Sequence, residues 1–434
     1  MQNLHRIIVK TLRVMQQSAA ATARRWGFKL GAGGAVIALL AVACSGGDRA
    51  DPDTATPAVA AEESAAAPTA VPPEATSGEA AAPRPPSGPP PPVDVTIRSV
   101  PLSNVVFDTF RGGFIRLSEA PADAIVSLRD AIRPIYTPRY EGPEGGDWLD
   151  PDDMVIGYVG DDAAYAYPVR MLNAHEIVND EIDGVPVLVT YCPLCGSGIV
   201  FHRVVDGREL VFGNTSALFE NDLVMYDHQT GTYWFQSGGE AIVGTLTGRR
   251  LDVLPSAMMR WRDWLKLRPD TRVLARDQGF GRTRYGAGAL EGYSERIDRL
   301  QFPFPVSLEK LDDRLRPSAV VISVRFAGEE KAYPLAELSG AVINDEIGGE
   351  PVVVVVQTGG LSGQAFSRRH NGETLTFEGQ SGDVRDRETG SRWDFAGRAV
   401  EGPLAGQELS QLPTRRAFWF SLSLAFPGIA LYQK

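Results

Sequence analysis

Two cysteines, a histidine and a glutamate carry the clearest chemistry in this sequence. Cys192 and Cys195 stand three residues apart in "CPLCG", between two apolar runs rich in β-branched residues. A Cys-x-x-Cys turn can hold a metal ion, act as a redox dithiol or close a short structural disulfide. His175 and Glu176 precede this segment in "HEIVND". The spacing alone leaves the three roles of the cysteines open.

A metal site on two thiolates needs further ligands, and the chain holds only three cysteines. We predict His175 as the third ligand, because it lies on the inward face of a helix predicted over residues 169–180. His202, seven residues after Cys195, is a candidate fourth ligand or hydrogen-bond partner of a ligand. Two thiolates and an imidazole suit zinc or copper. Glu176 is the candidate proton-transfer group beside this ion, or a hydrogen-bond partner that orients one of its ligands.

The alternatives differ in how well the flanking residues fit them. In thioredoxin-like proteins the first cysteine begins a helix, which lowers its pKa. Here the segment after Cys195, "GSGIVFHRVV", is β-branched and predicts a strand. That particular redox fold is therefore not expected, although a redox pair on another scaffold stays open. A disulfide between these cysteines would close so small a loop that it would remove little unfolded-state entropy.

The chain repeats itself, and the repeat separates candidate site residues from structural ones. Residues 164–212 match 330–377, with a constant offset of 165 from Asn179 onward. The offset is 159 where "YDHQTGTYW" faces "RDRETGSRW", so the first copy holds six extra residues between Phe212 and Tyr226. We expect these to form a loop over the site. The second copy replaces His175, Cys192, Cys195 and His202 by Gly340, Gln357, Gly360 and Ser367.

Strand and turn patterns indicate an α+β fold. We predict mostly antiparallel β-structure, as a curved sheet or a small barrel, with short helices and a tandem internal duplication. Residues 96–290 would form the first repeat domain with the Cys-x-x-Cys site. Residues 291–434 would form a second, degenerate repeat without cysteines.

The N-terminal residues predict export and attachment to a membrane. Residues 1–43 have a basic region followed by the apolar "LGAGGAVIALLAVA", which is typical of an export signal, starting at Met1 or Met15. Cys44 would then carry a lipid, and the Ala- and Pro-rich residues 44–95 would form a disordered tether. We therefore expect a membrane partner, through the lipid or an uncleaved signal anchor, at the extracytoplasmic face.

The charge of the chain excludes one large class of partner. The net charge is −11, and many of the positive residues near the N-terminus belong to the predicted signal. The folded part is therefore acidic and lacks the basic patch that nucleic-acid binding requires, so no nucleic-acid partner is expected. The sequence identifies no protein partner.

The combined motifs resemble a prokaryotic family known as domain of unknown function 3179. The likeness runs from about Ala131 into the second copy. The positions that carry it are Tyr167, Pro168, His175, Glu176, Cys192, Cys195, Tyr226, Asp227 and Trp234. His202 is not part of this pattern, and the resemblance implies no known activity. We therefore predict an exported lipoprotein with a zinc or copper site. A thiol–disulfide oxidoreductase and a non-catalytic interaction scaffold are the alternatives, and whether the protein is an enzyme stays open.

Overall fold

A computed structural model describes residues 84–281, 285–286 and 292–433. The export signal, Cys44 and most of the tether, all predicted from the sequence, lie outside these ranges. Within the described residues, no helix is both long and apolar enough to cross a membrane. The α-helices of these ranges are α1 (Ala122–Leu128), α2 (Val169–His175), α3 (Trp261–Leu267), α4 (Tyr293–Asp298) and α5 (Trp419–Ala425).

Strands make up most of the regular structure. In the first part of the chain they are β1 (Val105–Asp108), β2 (Phe114–Arg116), β3 (Tyr140–Glu141), β4 (Met154–Val159), β5 (Ala164–Pro168), β6 (Ile177–Ile182), β7 (Val185–Cys192), β8 (Ser197–His202), β9 (Val204–Val205), β10 (Arg208–Glu209), β11 (Phe212–Phe219), β12 (Asp222–Asp227), β13 (Tyr233–Phe235), β14 (Glu240–Val243), β15 (Asp252–Val253), β16 (Ala257–Arg260) and β17 (Arg272–Leu274). In the second part they are β18 (Val320–Phe326), β19 (Glu329–Pro334), β20 (Val342–Ile347), β21 (Glu350–Val356), β22 (Gly363–Ser367), β23 (Arg369–His370), β24 (Glu373–Thr374), β25 (Phe377–Gln380), β26 (Asp383–Asp386), β27 (Arg392–Trp393), β28 (Ala399–Glu401), β29 (Gln411–Leu412), β30 (Thr414–Phe418) and β31 (Ala430–Leu431).

The strands form open sheets that are mostly antiparallel. The sheets that bear on the site are β14-β13-β12-β11-β1-β2 and β31-β19-β18-β30-β8-β7-β6, the latter with β15 added beside β8. The prediction of mostly antiparallel β-structure with short helices is confirmed. The small barrel, one of its two predicted forms, is wrong for the described residues, because the strand order of each of their sheets is linear and does not close on itself.

One sheet combines strands from both predicted repeat ranges. Strand β30 pairs with β18 along its length and also meets β8, where Arg416 faces Gly198. The range 96–290 contributes β6, β7, β8 and β15 to this sheet, and the range 291–434 contributes β18, β19, β30 and β31. The chain after residue 291 therefore lies directly beside the strand that follows the cysteines.

Side-chain alternation along β7 separates two hydrophobic cores. Leu188 and Cys192 lie in one core with Phe201, Phe212 and Trp234. The residues that alternate with them, Val187, Val189 and Tyr191, lie in the other core, which also holds Met171 and Leu172 of α2. Because successive side chains of a strand point to opposite faces, α2 packs on the face of β7 away from Cys192.

Tight turns of left-handed residues join the strands around the site. Asp183 and Gly184 connect β6 to β7 with φ values of 52° and 77°. Glu220 and Asn221 connect β11 to β12 with φ values of 52° and 61°. Two consecutive residues of positive φ make the turn whose twist matches that of antiparallel strands, which fixes the register of both hairpins.

Two kinds of hydrogen bond recur at aligned positions of the two predicted copies. The indole nitrogen of Trp234 donates to Asp227 at 3.0 Å, and that of Trp393 donates to Asp386 at 2.8 Å. A second correspondence is the side-chain amide that bonds to backbone atoms of a residue on a strand of another sheet, Asn179 to Phe212 and Asn344 to Phe377. These contacts hold the β11–β12 and β25–β26 hairpins in place, and none of them involves the cysteines.

Candidate metal centre

The cysteines occupy the tight turn between β7 and β8. Cys192 ends β7 and pairs with Ser197, the first residue of β8. The backbone N–H of Cys195 donates to the carbonyl of Cys192 at 3.2 Å, and Gly196 has the left-handed φ of 55°. Both thiols are free and buried, with exposed fractions of 2% and 0%. The short disulfide considered from the sequence is therefore not formed in this structure.

Asp222 is the third member of the cluster. One ligand atom from each of Cys192, Cys195 and Asp222 lies within 4.8 Å of the other two. Asp222 begins β12 directly after the turn and is fully buried. Its carboxylate accepts the backbone N–H of Ser237 at 2.9 Å. Thiolate sulfur and carboxylate oxygen are both ligands of zinc, so the three side chains offer a partial coordination sphere.

Burial controls the protonation of all three groups. Burial raises the pKa of Cys192 to about 11, and the neighbouring Asp222 and Glu176 contribute in the same direction. Burial also raises the pKa of Cys195 and of Asp222 above their ordinary values. Without a cation, both thiols therefore retain their protons at neutral pH. A divalent cation would replace those protons and compensate the charges that burial disfavours.

The C-terminal part of the chain supports the cysteine turn from behind. The backbone N–H of Phe418 donates to the carbonyl of Cys195 at 2.8 Å. The guanidinium of Arg416 donates to the carbonyl of Gly196 at 3.1 Å. The hydroxyl groups of Ser421 and Ser237 are hydrogen-bonded at 2.6 Å. These contacts fix the turn and connect it to the residue that holds Asp222.

A cavity of about 600 Å³ opens beside Cys192. Its volume falls in the range of small-molecule sites. Cys192 contributes to the wall, whereas Cys195 and Asp222 do not. The lining comes mainly from the cysteine turn, the end of α2, the β11–β12 hairpin and the segment 302–304, and consists of Asp108, Phe110, Ile132, Asn173, Glu176, Cys192, Pro193, Leu194, Asn214, Ser216, Ala217, Leu218, Leu223, Tyr293, Arg296, Gln301, Phe302, Pro303 and Phe304.

Glu176 brings a carboxyl group to this cavity from the end of α2. It terminates the helix in the left-handed region, with φ of 58°. The side-chain amide of Asn214 donates to its carboxylate at 2.6 Å. Burial raises the pKa of Glu176 to about 7, and the hydrogen bond from Asn214 opposes this rise. A carboxyl group that titrates near neutral pH can both donate and accept a proton, as a general acid or base requires.

The structure does not bring His175 into the cluster. Its Nδ1 lies 2.7 Å from the carbonyl oxygen of Arg133, and its Nε2 lies 2.9 Å from the hydroxyl of Tyr285. The ring also packs on Phe280, with 4.6 Å between centroids. The predicted helix over 169–180 ends at His175, and β6 begins two residues later. Both ring nitrogens are therefore engaged on the side of the sheet where α2 packs.

His202 lies at the other end of β8 from the cysteines. Val187 pairs with His202, and Cys192 pairs with Ser197. Five residues of extended strand separate His202 from Ser197, which is about 16 Å at 3.3 Å per residue. The structure therefore does not place His202 at the cluster.

A family comparison covers this whole site. The model of a family described as "Protein of unknown function (DUF3179)" matches residues 129–428. The chain belongs to this family. The DUF3179 range includes the cysteine turn, Asp222, Glu176 and the strand β30 behind them. No curated protein and no solved structure matches the chain.

Sequence reasoning missed Asp222 as a site residue, although a signal for it was present. The six extra residues of the first copy do not form a separate loop in this DUF3179 domain. They lengthen a hairpin, since β11 and β12 span Phe212–Phe219 and Asp222–Asp227 where the second copy has Phe377–Gln380 and Asp383–Asp386. Asp222 lies within that extension, beside the cysteines. An acidic residue inside an insertion found only in the cysteine-bearing copy is the signal that could have identified it.

Proposed function

We propose that this protein binds a zinc ion through Cys192, Cys195 and Asp222. The observation that carries the proposal is the close approach of two buried thiols and a buried carboxylate, each within 4.8 Å of the others. Three buried acidic groups with raised pKa values are costly to ionise alone and become compatible when they share a cation.

The ligand set favours zinc over copper. Cuprous copper prefers soft sulfur and imidazole ligands, whereas zinc accepts thiolate and carboxylate together. Because Asp222, and not the predicted His175, is the third ligand of this proposal, we expect zinc in preference to copper. Copper binding is the other outcome that a metal analysis would show.

The cavity indicates how such a site would be used. Three protein ligands leave one coordination position for water or a substrate, as in catalytic zinc sites. When bound, the ion would supply Lewis acidity at that position. Glu176 would hold or release a proton on the cavity side, and Asn214 would orient its carboxyl group through their hydrogen bond. This proposal describes a metal-assisted reaction on a small molecule, with Glu176 as the proton-transfer group.

A thiol–disulfide oxidoreductase fits the site less well. The attacking cysteine of such enzymes has a lowered pKa, often at the start of a helix. Here burial raises the pKa of both thiols, and Cys195 is followed by β8. A non-catalytic scaffold would give no reason for a cavity beside buried thiols. Both alternatives are outcomes of the experiment below.

We also propose the cellular setting and the origin of the fold. Residues 1–43 would direct export, Cys44 would carry the lipid, and residues 44–95 would tether the DUF3179 domain to the extracytoplasmic face of the membrane. The two copies would derive from tandem duplication, which their corresponding Trp–Asp hydrogen bonds support. The second copy would serve as the scaffold of the first.

The test is metal content measured together with free thiols. The purified chain, prepared anaerobically, should hold close to one zinc per molecule by plasma mass spectrometry. X-ray absorption at the zinc edge should show two sulfur ligands and at least one oxygen. Cys192→Ser should lose the metal, whereas Gln357→Ala, at the position aligned with Cys192 in the second copy, should keep it. A metal-free protein whose two thiols oxidise and reduce reversibly would overturn the proposal and favour the redox alternative.

A further inference from the structure

The cavity beside Cys192 has an ordered apolar wall. Phe302, Pro303 and Phe304 form part of it. Phe302 packs on Phe420, with 5.0 Å between ring centroids. The backbone N–H of Phe304 donates to the side chain of Asn221 at 3.3 Å. This segment is therefore fastened to the turn that precedes Asp222, and it presents a fixed surface to a ligand.

Two polar side chains, one on α2 and one directly after its last residue, can form hydrogen bonds with a ligand in the same cavity. Asn173 is half-buried and its side chain makes no hydrogen bond within the described part of the chain. Glu176 is also half-buried, and one of its carboxyl oxygens accepts the bond from Asn214. Its other oxygen has no partner among the described residues. A carboxamide and a carboxyl oxygen together can donate to and accept from one ligand group.

The charged groups and the apolar wall of the cavity together disfavour a strongly charged ligand. Asp108 and Glu176 contribute carboxyl groups, and Arg296 contributes the one guanidinium among the described lining residues. Arg296 is exposed and lies over the ring of Tyr293 at 5.7 Å. An anion would meet two carboxyl groups, while a cation would lose hydration against the apolar wall. An uncharged molecule avoids both costs.

We infer that the cavity binds a small, uncharged, largely apolar molecule that carries one amide-like group. The apolar body would lie against Leu194 and the segment 302–304. The amide would donate to Glu176 and exchange hydrogen bonds with Asn173. The inference deepens the proposed function, because it names the class of molecule that would reach the open side of the metal centre. The cavity itself is formed by protein groups alone, so this binding can be measured without metal.

The experiment uses benzamide, benzoate and benzylamine as probes, which share a ring and differ in the polar group. Their binding to the full chain is measured by saturation-transfer NMR, in chelator and again with one equivalent of zinc. Benzamide should bind at least about 10-fold more tightly than benzoate or benzylamine, a difference of about 1.4 kcal/mol. Equal binding of benzoate, or binding of none of the three, would overturn the inference.

Two substitutions locate the binding. Leu194→Trp should fill the cavity and abolish the benzamide signal, while Leu361→Trp, on an exposed leucine outside the cavity lining, should leave it unchanged. Asn173→Leu keeps the cavity open and should weaken benzamide about 10-fold without changing benzoate. Equal loss in both tryptophan variants would place the binding elsewhere and overturn the assignment.

The two proposals fail in different ways. Benzamide binding in chelator, by a protein that never retains zinc, would refute the metal site and leave the cavity assignment intact. Zinc retention by a protein that binds no probe would refute the cavity assignment and leave the metal site intact.

Discussion

Glu176 should make folding stability depend on pH in a defined direction. Burial raises its pKa from an ordinary 4.5 to about 7. Between these values the folded protein holds a proton that the unfolded chain releases. The stability that this group contributes is therefore present below pH 4.5 and is lost as the pH rises through about 7. At about 1.4 kcal/mol per pKa unit the loss has an upper value of about 3 kcal/mol. The cavity admits water to this half-buried carboxyl group, so we expect about 2 kcal/mol.

The substitution Glu176→Gln should remove this dependence. Glutamine keeps an oxygen for the hydrogen bond from Asn214 and occupies the same left-handed position, so the variant differs mainly in having no proton to lose. Urea unfolding in chelator, at steps from pH 4.5 to 7.5, measures the free energy of unfolding of both proteins. Over that range the wild type should lose about 2 kcal/mol more than the variant.

A matched substitution separates the effect of the cavity from the effect of removing a carboxyl group. Glu181 lies on β6, five residues further along, and does not line the cavity. Glu181→Gln should therefore keep the pH dependence of the wild type. The reasoning would be refuted if wild type and Glu176→Gln gave parallel curves, or if the wild type gained stability relative to the variant as the pH rose.

Three further predictions concern the proposed zinc site. Arg416→Ala should weaken zinc binding about 10-fold, because it removes the hydrogen bond to the Gly196 carbonyl. Arg369→Ala, which breaks an exposed ion pair with Glu350, should leave the zinc affinity unchanged. Competition with a chromogenic chelator measures both affinities, and equal values would show that Arg416 does not support the site. Deletion of residues 217–222 shortens the β11–β12 hairpin to the length in the second copy. It should abolish zinc binding and preserve the far-ultraviolet circular dichroism, and retained zinc would show that Asp222 is not needed. The zinc affinity should fall about 100-fold for each pH unit below 8, since two thiol protons must leave. A pH-independent affinity would exclude thiolate ligation.

The fold could be predicted because its signals are local. β-branched runs alternate with turn residues such as Asp183-Gly184, whose positive φ angles suit a two-residue hairpin. The helix before β6 was predicted to continue to residue 180, and that extension was wrong. Its pattern of apolar residues runs on past His175, but Glu176 adopts a left-handed conformation and the following residues pair with β7. Such an ending depends on tertiary contacts, here Asn214 and the neighbouring strand, which no local pattern reports.

The cysteine pair of the site was predictable, and its third member was not recognised. Cys192 and Cys195 are adjacent in sequence, and one turn brings them together. Asp222 reaches them only because the β11–β12 hairpin folds back over the turn, so its position depends on sheet register. His175 is closer in sequence but belongs to a helix on the opposite face of β7. His175 was favoured because it is closer to the cysteines along the chain, but it lies on the other side of the sheet. Side-chain alternation shows on which side a residue lies only once the pairing of the strands is known.

The most direct test of the central claim compares zinc affinity in Asp222→Asn and His175→Ala. Asparagine keeps the shape of aspartate and removes its charge, and Asp386→Asn provides a matched buried control in the second copy. If Asp222 is a ligand, Asp222→Asn should bind zinc about 100-fold more weakly than the wild type. His175→Ala and Asp386→Asn should stay within a few-fold of it. Loss of zinc in His175→Ala, with retention in Asp222→Asn, would contradict the ligand set proposed for this centre.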